Sequence, residues 1–111
     1  MQDHDYPAAA SYLSLIFAAK RAAALVEALR EAPITTFKAK DIFRSAQLSL
    51  LGVSNLHVER DRQNIRSGKM LSPILLVRDR RTRKVIVADG YHRLCAVYGF
   101  DEDALIPCKI V

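Results

Sequence analysis

The sequence predicts an α+β domain, and three observations carry that reading. Residues Ala8 to Glu31 are rich in Ala and Leu and contain neither Gly nor Pro, the composition of a helix. Ile74–Val77 (ILLV) and Val85–Ala88 (VIVA) are short, continuously apolar runs, as strands covered on both faces are. After the second run comes an amphipathic stretch, Tyr91–Tyr98, so strands and helices share one chain without internal repeats or a linker.

Composition bounds the rest. The 111 residues are 50% hydrophobic and 26% charged, the balance of one globular domain with a single core. Lys20-Arg21 interrupts the only long apolar candidate, so no membrane span is expected. The N-terminus carries Asp3 and Asp5 where a secretory signal would be basic, which predicts a cytoplasmic protein. Cys95 and Cys108 are then reduced thiols; with no nearby ligand partners they predict no metal site and read as small buried hydrophobes.

In chain order, residues 1–7 read as a polar arm ending in Pro7, and Ala8–Glu31 as one long helix. Helical spacing gives it an apolar face of Tyr12, Leu15, Ile16, Ala19, Ala22, Ala23, Val26 and Leu29, opposite Lys20, Arg21, Glu27 and Glu31. Leu13 and Phe17 fall on the polar side. Either their placement is chance or they mark a second contact surface, a homodimer interface. Pro33 stops the helix, so residues 1–33 form an arm and helix and 34–111 the domain proper.

Ile34–Ala39 has the content of a first strand. Asp41 is a suitable N-cap for a short helix over Ile42–Leu50, with Ile42, Phe43, Ala46 and Leu50 inward, closed by Gly52. Ser54 or Asn55 then caps a mostly polar helix, Leu56–Ser67, ended by Gly68. Beyond the strands, Leu94, Val97 and Tyr98 face the core with Cys95 at the edge, and Gly99 breaks the helix. Asp101–Ala104 is a turn, and Ile106–Val111 is a last strand that Pro107 assigns to an edge or a strand start.

Two stretches carry chemistry. Arg78, Arg80, Arg81, Arg83 and Lys84 crowd into seven positions between the apolar strands, in a chain of net charge +5. They make either a solvated hairpin or a contact for nucleic acid or another phosphate-rich ligand. The other stretch is the strand-to-helix junction Asp89-Gly90-Tyr91-His92-Arg93. Gly90 permits a backbone closed to other residues, and the first N–H groups of the helix lack intrahelical partners and sit at its positive end. A phosphate can sit there, clamped by Arg93 and hydrogen-bonded by His92. The same residues also make an ordinary turn in which Asp89 caps the helix, and both readings stand on the residues alone.

Strand and turn together resemble the signature of the ParB/sulfiredoxin superfamily, in which a strand runs into a Gly-x-His-Arg or Gly-Glu-Arg-Arg turn. The form here is closest to the Asp-Gly-His-His-Arg of the superfamily's free serine kinases. The resemblance covers roughly Ile34–Val111 and implies a small mixed sheet packed with helices, to which the long N-terminal helix is an addition. It also implies that Asp89, Gly90, Tyr91, His92 and Arg93 hold a phosphate-containing ligand such as ATP, ADP or CTP, with Mg²⁺ as a further expectation.

Departures from that pattern narrow the expectation. Sulfiredoxins place a catalytic cysteine where this chain has Tyr91, and a phenol cannot perform their sulfur chemistry. The Glu-Arg pair of partition proteins is absent. A phosphotransferase needs a carboxylate base; His92 and Asp89 are the catalytic candidates, and Glu59 and Asp61 are acids on the polar helix that solvated surface explains as well. Two classes remain: a phosphate- or nucleotide-binding module acting as a nucleic-acid-associated regulator, or a small nucleotide-dependent phosphotransferase or phosphohydrolase, nuclease-type activity included.

Overall fold

A computed structural model of the chain describes residues 2–47 and 72–111. They form an α+β fold in which a four-stranded mixed sheet is packed between helices. In chain order the elements are α1 (Gln2–Leu13), α2 (Ala19–Glu31), β1 (Thr35–Lys38), α3 (Ala39–Ala46), β2 (Ile74–Asp79), β3 (Lys84–Asp89), α4 (Tyr91–Phe100) and β4 (Leu105–Ile110). The expected polar helix Leu56–Ser67, with Glu59 and Asp61, lies outside the described residues, as do Leu50 and Gly52.

The sheet runs in the order β1-β4-β2-β3. β4 pairs antiparallel with β1 and parallel with β2, and β2 pairs antiparallel with β3. β4 is therefore an interior strand, not an edge. Pro107 is accommodated because it lies opposite Thr36, one residue before the pairing with β2 begins at Cys108 opposite Ile74. β2 is buried along Ile74–Val77, as its apolar run requires, whereas β3 lies at the sheet edge and is only half-buried from Val85 to Val87.

Alternation along β2 feeds two cores. Leu75 and Val77 join Tyr6, Ala9 and Leu13 of α1 and Ala22, Val26 and Leu29 of α2 on one face. Ile74 and Leu76 join Ile42 and Phe43 of α3 and Leu94, Cys95 and Ala96 of α4 on the other. The single expected core is thus two, and Cys95, expected at a helix edge, is only 2% exposed. Gly99 does not end α4, which continues to Phe100 and closes with Asp101 N–H donating to Val97 O. Asp41 sits in the first turn of α3 rather than capping it; Lys38 holds the N-cap position without a side-chain bond.

The largest departure is at the N-terminus. The expected arm is helical, with Pro7 inside α1, and the expected single helix is two. Between them Ser14 Oγ donates to Ala10 O at 2.7 Å, and Leu15 and Ile16 donate three residues back, so the chain tightens and leaves the α-helical path. Continuing one helical period across this break inverts the faces. Tyr12, Leu15 and Ile16, expected inward, are 46%, 85% and 46% exposed, while Leu13 is fully buried. Phe17 packs against the same core, so the two residues that suggested a dimer surface are used within the chain. Among the described residues, no helix is long and apolar enough to cross a membrane.

Candidate functional site: an open helix end and a basic hairpin

β3 carries the two sequence-predicted features at its two ends. At its C-terminal end the chain leaves Asp89, turns at Gly90 with φ +101°, and enters α4 at once. A side chain at position 90 would be strained by that φ, and its Cβ would lie 2.7 Å from Ile74 Cδ1 and 2.8 Å from Arg93 Nη2. Gly90 itself is the N-cap, and among the described residues no side chain caps the helix. Asp89 does not take the capping role, because its carboxylate points elsewhere.

It points to Arg93, one helical turn on. Arg93 Nη2 donates to Asp89 Oδ2 at 3.2 Å, to Asp5 Oδ2 at 3.4 Å and to the Pro73 carbonyl at 3.3 Å. Two carboxylates thus converge on one guanidinium whose side chain is 17% exposed. Burial, then a hydrogen bond with Asp5, outweighs the Arg93 charge and pushes the Asp89 carboxyl up to about 6. Arg93 Nε is buried without a hydrogen-bond partner among the described residues.

Asp5 is the residue that sequence reading missed, because it reads as part of a loose arm. It is placed by its neighbour. Tyr6 is buried against β4, its hydroxyl accepting from Lys109 Nζ at 2.8 Å, and Arg30 stacks on its ring at 4.6 Å. Lys109 Nζ also donates to Arg30 O at 3.0 Å, near the C-terminal end of α2. This cluster ties the start of α1 to the sheet and so delivers Asp5 to Arg93. A bond spanning 88 residues leaves no local sequence signal.

Along the exposed edge of β3 runs an open cleft of about 430 Å³. Asp89, Gly90, Tyr91 and His92 line one end, Thr82 and Lys84 the other, and Val85–Ala88 the wall between, with Ala8 and Tyr12 of α1 and Ala46 of α3 alongside. Four of the five expected turn residues therefore reach the cleft; Arg93 instead braces the turn from behind. Burial and then Cys95 raise the Tyr91 phenol above its ordinary value.

At the other end of β3 the hairpin is held by its acid. Asp79 accepts from Arg81 N–H at 3.1 Å and from Thr82 Oγ1 at 2.9 Å, and its carbonyl accepts from Arg83 N–H at 2.8 Å. The Thr82 bond first, and then the Arg81 N–H, lower the Asp79 carboxyl below the ordinary range. Arg78, Arg80, Arg81, Arg83 and Lys84 are all exposed, and among the described residues none forms an ion pair. Among the described residues no cluster of three or more His, Cys, Asp or Glu side chains could hold a metal ion. No family model, no curated protein and no solved structure matches this chain.

Proposed function

We propose that the protein is a phosphate-binding module whose ligand sits at the N-terminus of α4. The observation that carries this reading is that α4 opens into the cleft from a left-handed Gly90, an N-cap residue with no side chain of its own to cap the helix. The backbone donors and the helix dipole there favour an anion. Lys84 at the far end of the cleft adds positive charge, and His92 at the near end supplies an imidazole. The resemblance to the ParB/sulfiredoxin superfamily supports a nucleotide such as ATP, ADP or CTP, with Mg²⁺, as the ligand. The order of strand, helix, hairpin, turn, helix and strand from residue 35 onward is the order that resemblance implies.

Arg93 takes a different part from a direct clamp. Braced by Asp89, Asp5 and the Pro73 carbonyl, it holds the turn in the shape that presents the helix end. A second reading, phosphotransfer or phosphate hydrolysis, draws on the Asp89 carboxyl, which titrates at about 6 beside His92.

Calorimetric titration with ATP, ADP, CTP and pyrophosphate, with and without Mg²⁺, tests both. Binding that weakens about tenfold or more in His92→Ala supports the module, since a hydrogen bond to a charged group is worth about 1.5–3 kcal/mol. Nucleotide turnover that falls in His92→Ala beyond that binding loss supports the enzyme. Absence of any phosphate ligand on the folded protein leaves the turn purely structural.

A further inference from the structure

The charge of this protein is concentrated in one place. The seven residues Arg78–Lys84 hold five cations and one acid, leaving twelve cations and eleven acids for the other 104. Nearly all of the net charge of +5 therefore sits on the hairpin. Among the described residues the ordinary arrangement, a surface laced by salt bridges, is missing here. Asp79, the hairpin's one acid, is engaged by Arg81 N–H and Thr82 Oγ1, and the cations form no ion pair among the described residues. Like charges held this close repel one another, and a polyanion relieves that repulsion.

The surroundings say which polyanion. The hairpin does not stand on a flat polar surface; Thr82 and Lys84 form the mouth of the cleft that continues along β3. Its wall is apolar, Val85 to Ala88, and Tyr12 of α1 borders it with its side chain half exposed. A cationic rim leading into an apolar groove with an exposed aromatic is the arrangement that takes a nucleic-acid strand with its bases unpaired, phosphates on the cations and bases against the ring. An acidic peptide would use the cations and leave the groove empty. A duplex keeps its bases stacked inside and offers the groove nothing.

We infer that the β2–β3 hairpin and the adjoining cleft form a binding surface for single-stranded nucleic acid, with Arg80, Arg81, Arg83 and Lys84 on the phosphates and Tyr12 stacked on a base. This surface shares its cleft and Lys84 with the phosphate reading of the α4 turn, but it is argued from other observations, the hairpin charge and the exposed Tyr12. Failure of one is told from failure of the other by a variant that removes Arg80, Arg81 and Arg83 but keeps Lys84 and the turn.

The experiment is fluorescence anisotropy with a labelled short oligothymidylate, its duplex with oligoadenylate, and a polyglutamate peptide of similar charge. Each is titrated with the native protein, with Arg80→Ala/Arg81→Ala/Arg83→Ala/Lys84→Ala, and with Tyr12→Ala, over a range of KCl, with circular dichroism as the check of folding. The native protein binds the oligothymidylate more tightly than the other two. Affinity falls with salt by about 0.7 log units per log unit for each phosphate neutralised, and the quadruple variant loses most of that slope. Tyr12→Ala weakens binding about fivefold or more with the slope unchanged, as loss of one base–aromatic stack does. ATP or pyrophosphate binding in calorimetry persists in Arg80→Ala/Arg81→Ala/Arg83→Ala, which keeps Lys84 in the cleft. No oligothymidylate binding at low salt, a slope that survives the quadruple substitution, equal or tighter binding of duplex or polyglutamate, or an unaffected Tyr12→Ala overturns the inference.

Discussion

β3 joins two arginine-bearing regions that the fold treats in opposite ways. At its C-terminal end Arg93 is largely buried and meets two carboxylates and a carbonyl. At its N-terminal end Arg80, Arg81, Arg83 and Lys84 are exposed and meet no carboxylate among the described residues. The first arrangement builds structure. The second leaves charge available to a partner at small cost to the fold, since exposed cations stay hydrated whether or not they are paired. Residue type alone does not separate them; burial and the presence of acids do.

The comparison breaks most visibly at Arg93. Arg93→Ala leaves Asp5 and Asp89 facing each other with no cation between them, at side-chain exposures of 11% and 19%. Removing one partner of a buried ionic cluster costs roughly 3 kcal/mol, read as a lowered midpoint in urea denaturation. Arg93→Lys keeps a cation between the two acids and recovers part of that loss, since all three contacts come from the one nitrogen Nη2 and an ammonium also carries three donors. Should Arg93→Ala match native stability, the contact at this end of β3 is no more structural than the hairpin.

Gly90→Ala comes next. The left-handed φ and the approach of Ile74 Cδ1 both oppose a methyl group, and the substitution costs about 2 kcal/mol in the same assay. A variant as stable as the native protein would show that the turn relaxes freely.

The third test sharpens the comparison through pH. Asp89 has its carboxyl raised to about 6 in the fold, against 3.8 for an unperturbed group, mainly by burial. The folded protein therefore holds this proton more tightly than the unfolded chain. The resulting stability is fully present below the unfolded value and is lost as pH rises through about 6. Native protein is expected to be about 1 kcal/mol more stable at pH 5 than near pH 7.5 from this group. Asp89→Asn abolishes that increment, which thermal melts across the range detect; an increment that persists in Asp89→Asn assigns it elsewhere.

The smallest effects belong to the hairpin. Arg80→Ala and Arg81→Ala change stability by no more than about 0.5 kcal/mol, as exposed substitutions do. Arg83→Gly stabilises by about 1 kcal/mol, because Arg83 sits at φ +59° where a side chain is disfavoured. A hairpin variant that unfolds the protein would place structural weight on these cations and erase the contrast with Arg93.

How much of this was legible beforehand follows from the range of the interactions involved. The runs ILLV and VIVA, the basic hairpin, the glycine turn and the helix after it are all readable from the sequence, because each is set by neighbours a few residues apart. The α+β class follows from them, as does the placement of Gly90 at a position that needs positive φ. Tertiary structure alone decided the rest. In an alanine-rich segment local preferences barely distinguish one long helix from two. Burial of Leu13, not of Leu15 or Ile16, came with the break at Ser14. Pro107 became tolerable in an interior strand only because of where β2 begins to pair with it. The second carboxylate on Arg93 could not be read at all: Asp5 lies 88 residues away, and it reaches the turn because Tyr6 is buried beneath α2 and β4. Local chemistry sets where a chain turns and what a turn can hold, whereas packing between distant segments sets which of its charges are already satisfied.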